Sequence, residues 1–419
     1  MNSKHFVILI IYLLVVAGCS GTERFTSESK NERVKKNKSF TYTESTGNIL
    51  NPVRVLLHTE IDFLDYLAET ALDLYDSKNK IAIVNKGNVL RFKSQGKKII
   101  LTIADKSFES DFFELQPSDS SDKIIYQQKN YRGKLRVTYS DAGTKVINVI
   151  NLEEYLKGVL PSEMPIGKGE TNLEALKAFA ICARTYSLMK MNVNQDDFDL
   201  HVDVRDQVYG GADNEKVLSN RAVDETAGQV LYFNGNLATT FYHSTCGGET
   251  ENSKNVFTSS ELTYLSGVED GSPPYCSISP RFNWTERYTR KEIIKRLSST
   301  GLVKPDSELE NLEIKSRFDS GRVNELEITV IENEEQKKVS VFGNNIRSII
   351  RTADNKSILF SSMFELSIAG NEIIISGKGY GHGVGLCQYG SIGMCQSGKN
   401  FSEIIFHYFP GTEIINIYE

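Results

Sequence analysis

Several common functional signatures are missing from this 419-residue chain. The net charge is −6, without the basic excess that nucleic-acid binding favours, so no nucleic-acid partner is expected. None of the six cysteines stands in a CxxC pair, which leaves a structural zinc site with little support. Ser244 lies outside any GxSxG elbow, and Cys246 lacks the surroundings of a cysteine-hydrolase nucleophile. No repeat recurs at a solenoid period. What remains is ordinary material for a folded protein. Hydrophobic residues make up 40% and charged residues 24%, and the length suffices for two or three core-bearing units.

Lys4 and His5 precede an apolar run, Phe6 to Ala17, of signal-peptide length. It is too short for a comfortable membrane span of roughly 20 residues. The run ends in Val16-Ala17-Gly18-Cys19, which resembles the bacterial lipobox. The expectation is an exported lipoprotein, with residues 1–18 a signal peptide and Cys19 the acylated N-terminus in a bacterial membrane facing the cell wall. Residues 19–51, rich in Ser, Thr, Asn, Lys and Glu, read as a flexible tether. Five further cysteines remain in an exported chain; the number is odd, so at least one stays free. Cys246 reads as a disulfide partner rather than a nucleophile, and Cys276 is its expected mate.

From Pro52 onward, short apolar or alternating runs recur at 53–57, 81–84, 99–103, 135–139 and 146–150. Turn signals such as Asn85-Lys-Gly and Asp141-Ala-Gly separate them, which predicts strands. The strongest helix is predicted over 173–191, where Leu176, Phe179, Ala180 and Ala183 fall on one face. Thr171 and Glu174 form a capping-box pattern ahead of it. Shorter helices are predicted over 152–159, 290–297 and 401–408, and strands over 229–233 and 312–330. The fold class is therefore α+β, strand-rich with a few helices. The expected divisions are a strand-rich part (52–145), the first part of a catalytic core (146–276), an inserted α/β subdomain (277–376), and a glycine-rich motif with a C-terminal helix that completes the core (377–419).

Residues 377–390, GKGYGHGVGLCQYG, carry six glycines in fourteen positions. Such density suits a chain with left-handed turns or one approached closely by a ligand. No register gives GxGxxG, and no Lys-Ser or Lys-Thr closes a P-loop, so no nucleotide cofactor is expected. His382 and Gln388 are the polar groups of this segment. Upstream, Glu163 lies in Leu160-Pro-Ser-Glu-Met-Pro165, a stretch that two prolines pin. Partial burial there would raise its pKa toward that of a general acid, although a carboxylate capping the next helix is an equal reading. Arg184, next to the apolar stripe, calls for an anion or a salt-bridge partner.

The segments 151–165 (NLEEYLKGVLPSEMP), 173–186 (LEALKAFAICARTY), 206–211 (DQVYGG), 243–250 (HSTCGGET) and 379–390, with 407–411 (HYFPG), resemble the stage II sporulation protein D family. They fall in family order, and the similarity covers roughly residues 52–419. Members of that family are peptidoglycan lytic transglycosylases acting on glycan strands stripped of stem peptides, and some relatives are amidase enhancers. The resemblance implies Glu163 as the catalytic acid. It also implies that Arg184, Tyr186, Tyr209, His243, Ser244, His382 and Gln388 line a glycan groove. Some members hold zinc through a cysteine pair just upstream of the Gln-Val-Tyr-Gly motif. Residues 198–206 contain no cysteine, so no metal is expected there. The position of Cys387 is often serine in relatives. The expected partners are peptidoglycan glycan strands and the anchoring membrane; the alternative reading is a non-catalytic wall-binding module that stimulates a cell-wall amidase.

Overall fold

The computed structural model describes residues 52–418, apart from 142, 194–195 and 258–261. The lipobox, Cys19 and the tether lie outside the described residues. The alternating runs form strands because their period of two puts apolar side chains on one face. In Val89–Gln95, Leu90 and Phe92 are buried while Val89, Arg91 and Lys93 are exposed. Seven strands make one sheet in the order Leu200–His201, Val53–Ile61, Gly143–Ile150, Lys134–Ser140, Phe112–Pro117, Leu72–Tyr75, Lys80–Val84. A second sheet of four strands, Phe63–Leu67, Val89–Gln95, Lys98–Ile103 and Lys106–Ser110, packs against it. Phe92 of the smaller sheet meets Phe113 of the larger, ring centres 6.1 Å apart.

Gly143–Ile150 leads directly into helix α1, Leu152–Glu163, whose N-terminus is capped by the Asn151 side chain. Next come α2, Leu173–Val193, and α3, Val217–Glu225. One apolar core runs without a break from Val53 in the large sheet, through α1 and α2, to Phe409 near the C-terminus. A separate core, from Trp284 to Ile375, fills the region between. It lies among two three-stranded sheets, helix α4 (Arg290–Ser299) and the short α5 (Asn345–Ile350). After the strand Glu372–Lys378 the chain returns to the first core. There Leu386–Cys387 pairs in parallel with Tyr242–His243, and helices α6 (Gln388–Gln396) and α7 (Phe401–Tyr408) follow. The protein is a strand-rich α+β fold.

Three local expectations are corrected. Helix α1 extends past Val159 to Glu163 and contains Pro161, so Glu163 ends a helix rather than sitting in a proline-pinned loop. The proline lies in the last turns of α1, where its missing N–H costs one ladder bond, and Ser162 Oγ takes up the Gly158 carbonyl at 3.0 Å. The capping box at Thr171 and Glu174 does not form. Thr171 donates to the Lys168 carbonyl at 2.9 Å, and Glu174 accepts from the Phe401 N–H at 2.9 Å, so it caps α7 instead. The predicted strand over 312–330 is a hairpin of two strands, Glu308–Arg317 and Val323–Glu332, turning at Asp319-Ser-Gly321.

Helix α1 lies close to the DQVYGG segment because Gly158 has no side chain. A Cβ there would stand 2.5 Å from the Tyr209 ring and 2.9 Å from the Gly211 carbonyl. Helix propensity favours alanine over glycine by about 1 kcal/mol, and overpacking costs about 1–3 kcal/mol. The ring cannot step aside, because the Tyr209 hydroxyl is held on Asn148 Oδ1 at 2.9 Å. Overpacking should win, so Gly158→Ala is expected to lower stability by about 2 kcal/mol in urea denaturation. A midpoint equal to or above wild type would show that this close contact is absent.

Candidate active site

Glu163, at the end of α1, is half-buried. Its Oε1 accepts the Val208 N–H at 2.7 Å, and the Gln388 side chain hydrogen-bonds the same carboxyl. Burial pushes its pKa up from 4.5 to about 7; the Val208 and Gln388 hydrogen bonds pull the other way and lose. Position adds to the effect, since the carbonyl end of a helix disfavours a negative charge. A carboxyl that is half protonated near neutral pH can both give and take a proton.

The donor at Val208 is fixed by its neighbours. Gln207 and Tyr209 turn inward on either side of it, and both are buried. Gln207 Oε1 accepts from Tyr155 Oη at 3.2 Å and Ser187 Oγ at 2.8 Å. Asp206 accepts from the Tyr186 hydroxyl at 2.9 Å and the His201 N–H at 2.8 Å, and it pairs with Lys190 at 2.9 Å. The N–H aimed at Glu163 is thus set before any ligand arrives, the condition for electrostatic preorganisation. Of this segment the sequence reading singled out Tyr209 alone. The donor to Glu163 is the backbone of Val208, which no side-chain pattern reveals; Asp206, also in the motif, holds Tyr186, Lys190 and the His201 N–H.

Of the expected groove residues, Gln388 alone is placed directly on Glu163. It is the first residue of α6, more than 220 positions along the chain. Tyr186 reaches the site through Asp206. The remaining expectations are corrected. Arg184 is 0% exposed and grips Glu153 with two hydrogen bonds of 2.8 and 2.6 Å, while Nη1 donates to the Gln229 carbonyl and Nη2 to that of Val223. It ties α1 to α2, with four of its five N–H groups bonded inside the protein and no part of it exposed to a sugar. Tyr209 lies between Tyr131 and Tyr155, inside the protein. Ser244 is buried beside Thr245, and its carbonyl receives the Tyr389 N–H at 3.0 Å.

The two histidines are struts. His382 Nε2 donates to the Tyr242 carbonyl at 2.9 Å and its Nδ1 accepts the Val384 N–H at 3.1 Å, so the ring is neutral with both nitrogens occupied. Burial pushes its pKa down to about 3, with Arg347 adding to the effect. His243 Nδ1 donates to the Val384 carbonyl at 3.1 Å, and burial holds this ring far below the usual histidine range as well. The glycines serve this packing. At Gly385, φ is +71° and a Cβ would lie 2.2 Å from the Phe241 carbonyl oxygen. The expected Cys246–Cys276 disulfide is also corrected. The two Sγ atoms are 3.3 Å apart and unbonded, and Cys387 and Asp270 converge on the same place to make a cluster of four.

Comparison with known proteins gives a consistent set of relatives. The family described as "Stage II sporulation protein" matches residues 140–233, and a domain of unknown function matches residues 275–385. Stage II sporulation protein D of Bacillus subtilis is 31% identical over 297 residues, covering 66% of this chain and 77% of that protein. An uncharacterized protein of Brachyspira hyodysenteriae is 32% identical, over 73% of this chain and 76% of its own length. The amidase enhancer of Bacillus subtilis is 31% identical over 62% of this chain, which spans 40% of that relative.

The raised pKa of Glu163 makes stability depend on pH. The folded chain holds the extra proton between the ordinary value of 4.5 and the folded value of about 7. Its contribution to stability is therefore full below pH 4.5 and is lost as pH rises through 7. Glu163→Gln removes the ionisable group, so at pH 8 the variant should be more stable than wild type, by up to about 3 kcal/mol. At pH 4 the two should be nearly equal. Denaturant titrations at the two pH values check this; a variant less stable at pH 8 would mean that the carboxylate is well solvated.

Proposed function

The chain belongs to the stage II sporulation protein D family, and we propose that it is a lytic transglycosylase of peptidoglycan. It cleaves the bond between N-acetylmuramic acid and N-acetylglucosamine in denuded glycan strands and leaves 1,6-anhydromuramic acid ends. The observation that carries this reading is a lone carboxyl tuned to about pH 7. Burial raises the pKa of Glu163, and the Val208 N–H and the Gln388 amide hold the carboxyl in place. Hydrolytic glycosidases use two carboxyl groups, one as acid and one as base or nucleophile. Lytic transglycosylases manage with one, because the nucleophile is the C6 hydroxyl of the reacting sugar. Its tethering supplies the effective concentration that a second residue would otherwise organise.

With Oε1 on the Val208 N–H, Oε2 carries the acid proton. That proton passes to the glycosidic oxygen as the bond to C1 of the muramic acid breaks. The resulting carboxylate then takes the C6 hydroxyl proton while that oxygen bonds to C1, so the ring closes and no water is consumed. The Val208 N–H and the Gln388 amide stabilise the carboxylate between the two transfers. Each strengthens as the charge appears, because both donors are already in place. The site works on the outer side of a bacterial membrane, with acylated Cys19 as anchor. A second reading is supported by the amidase enhancer among the relatives, in which the same surface binds glycan and recruits an amidase without turnover.

Glu163→Gln separates the two. Turnover of purified denuded glycan should fall by roughly 10² to 10⁴ while the dissociation constant for glycan stays near wild type. Undiminished turnover would show that a group other than Glu163 catalyses the cleavage; absence of turnover in the wild type, or full wall remodelling in cells carrying the variant, would support the recruiting role instead.

A further inference from the structure

We propose that Cys246, Asp270, Cys276 and Cys387 bind one thiophilic divalent cation, zinc by the chemistry of the donor set, as a structural site beside the catalytic centre. All four residues are 0% exposed, and their ligand atoms lie within 4.8 Å of one another. A tetrahedral zinc with metal–sulfur bonds of ~2.3 Å has ligand–ligand edges of about 3.8 Å. The observed separations, from 3.3 Å between the Cys246 and Cys276 sulfurs up to that 4.8 Å limit, bracket this edge. Three sulfurs and one oxygen form a donor set that suits zinc and disfavours calcium or magnesium.

Two further observations point to a bound cation. Asp270 is completely buried, yet among the described residues no lysine or arginine forms an ion pair with it. Its carboxylate is instead oriented by the Tyr408 hydroxyl and by the Cys276 N–H at 2.7 Å. Buried carboxylates are paired or coordinate metals, and oriented ligands of this kind are a mark of metal sites. The sulfurs, too, receive backbone donors as thiolate ligands do. The N–H groups of Cys246 and Gly390 point at Cys387 Sγ at 3.2 and 3.3 Å, and Gly247 donates to Cys276. Arg322, close by, spends its Nη donors on the Cys246 and Glu249 carbonyls, leaving the sulfurs free for a metal while its charge offsets theirs.

The site joins three distant segments: Cys246, three residues past the strand Tyr242–His243, the Asp270–Cys276 loop, and Cys387, which caps α6. The next residue is Gln388. A cation here would therefore fix the start of α6 and with it the amide that touches Glu163. The position differs from residues 198–206, where zinc-binding relatives carry their cysteine pair.

Elemental analysis of the full chain, purified without chelator, should find one zinc per molecule, and cobalt should replace it with a thiolate charge-transfer band. Cys387→Ser should weaken metal binding by at least about 100-fold, and Asp270→Asn by at least about 10-fold. The competing arrangement is a Cys246–Cys276 disulfide, which would appear as a cross-linked peptide and a mass lower by two hydrogens. A metal-free chain, that cross-link, or undiminished zinc in Cys387→Ser would each overturn the proposal. The wild-type metal and cross-link measurements decide it even if a variant fails to fold. Neither readout uses glycan cleavage, so the outcome is independent of the transglycosylase reading.

Discussion

Parallel pairing of Tyr242–His243 with Leu386–Cys387 joins the segment that follows the second core to the first core. Three dissimilar features depend on this seam. Gln388 reaches Glu163 because α6 starts where the pairing ends. Cys387 reaches Cys246 for the same reason. The two histidines brace the seam from inside, each bonded across it to a main-chain carbonyl. Their burial keeps them neutral throughout the physiological range, so the brace does not loosen as pH changes. Glycine is required where the strands approach most closely, since any side chain at Gly385 would strike the Phe241 carbonyl.

Much of the fold could be read in advance where apolar periodicity is strong. Five strands of the two N-terminal sheets, those at 53–61, 80–84, 98–103, 134–140 and 143–150, and the long helix α2 follow directly from it. Reading failed where a local rule competed with packing. Pro161 suggested a loop, yet the last turns of α1 absorb a proline at the cost of one ladder bond. Thr171 and Glu174 matched a capping pattern, yet Glu174 is drawn away to the start of α7 by a tertiary contact that sequence spacing cannot show. The cluster at Cys246, Asp270, Cys276 and Cys387 has no spacing signature at all, because its members come from three separate segments.

The site was legible in one respect and misread in another. Glu163 stood out as a carboxyl dressed for burial, and burial is what raises its pKa. Most of the residues that the family resemblance placed in a glycan groove instead hold elements of the first core together. Arg184 clamps α1 to α2 through Glu153, and Tyr209 and Gln207 pin the backbone on either side of Val208. A motif shared across a family thus marks what must be packed to hold one N–H and one amide against a carboxyl. It does not mark only what touches a ligand. The arrangement also has a stability cost: a carboxyl kept out of water near neutral pH destabilises the fold that holds it, as expected where function sets the residue.

We propose that one carboxyl closes the sugar ring without water. Digesting denuded glycan in water enriched in heavy oxygen tests this most directly, with the products examined by mass spectrometry. The expected products carry 1,6-anhydromuramic acid ends, lighter by one water than hydrolysis products, and contain no heavy oxygen. Reducing ends labelled with the solvent oxygen would show hydrolysis, and with it a second catalytic group beside Glu163.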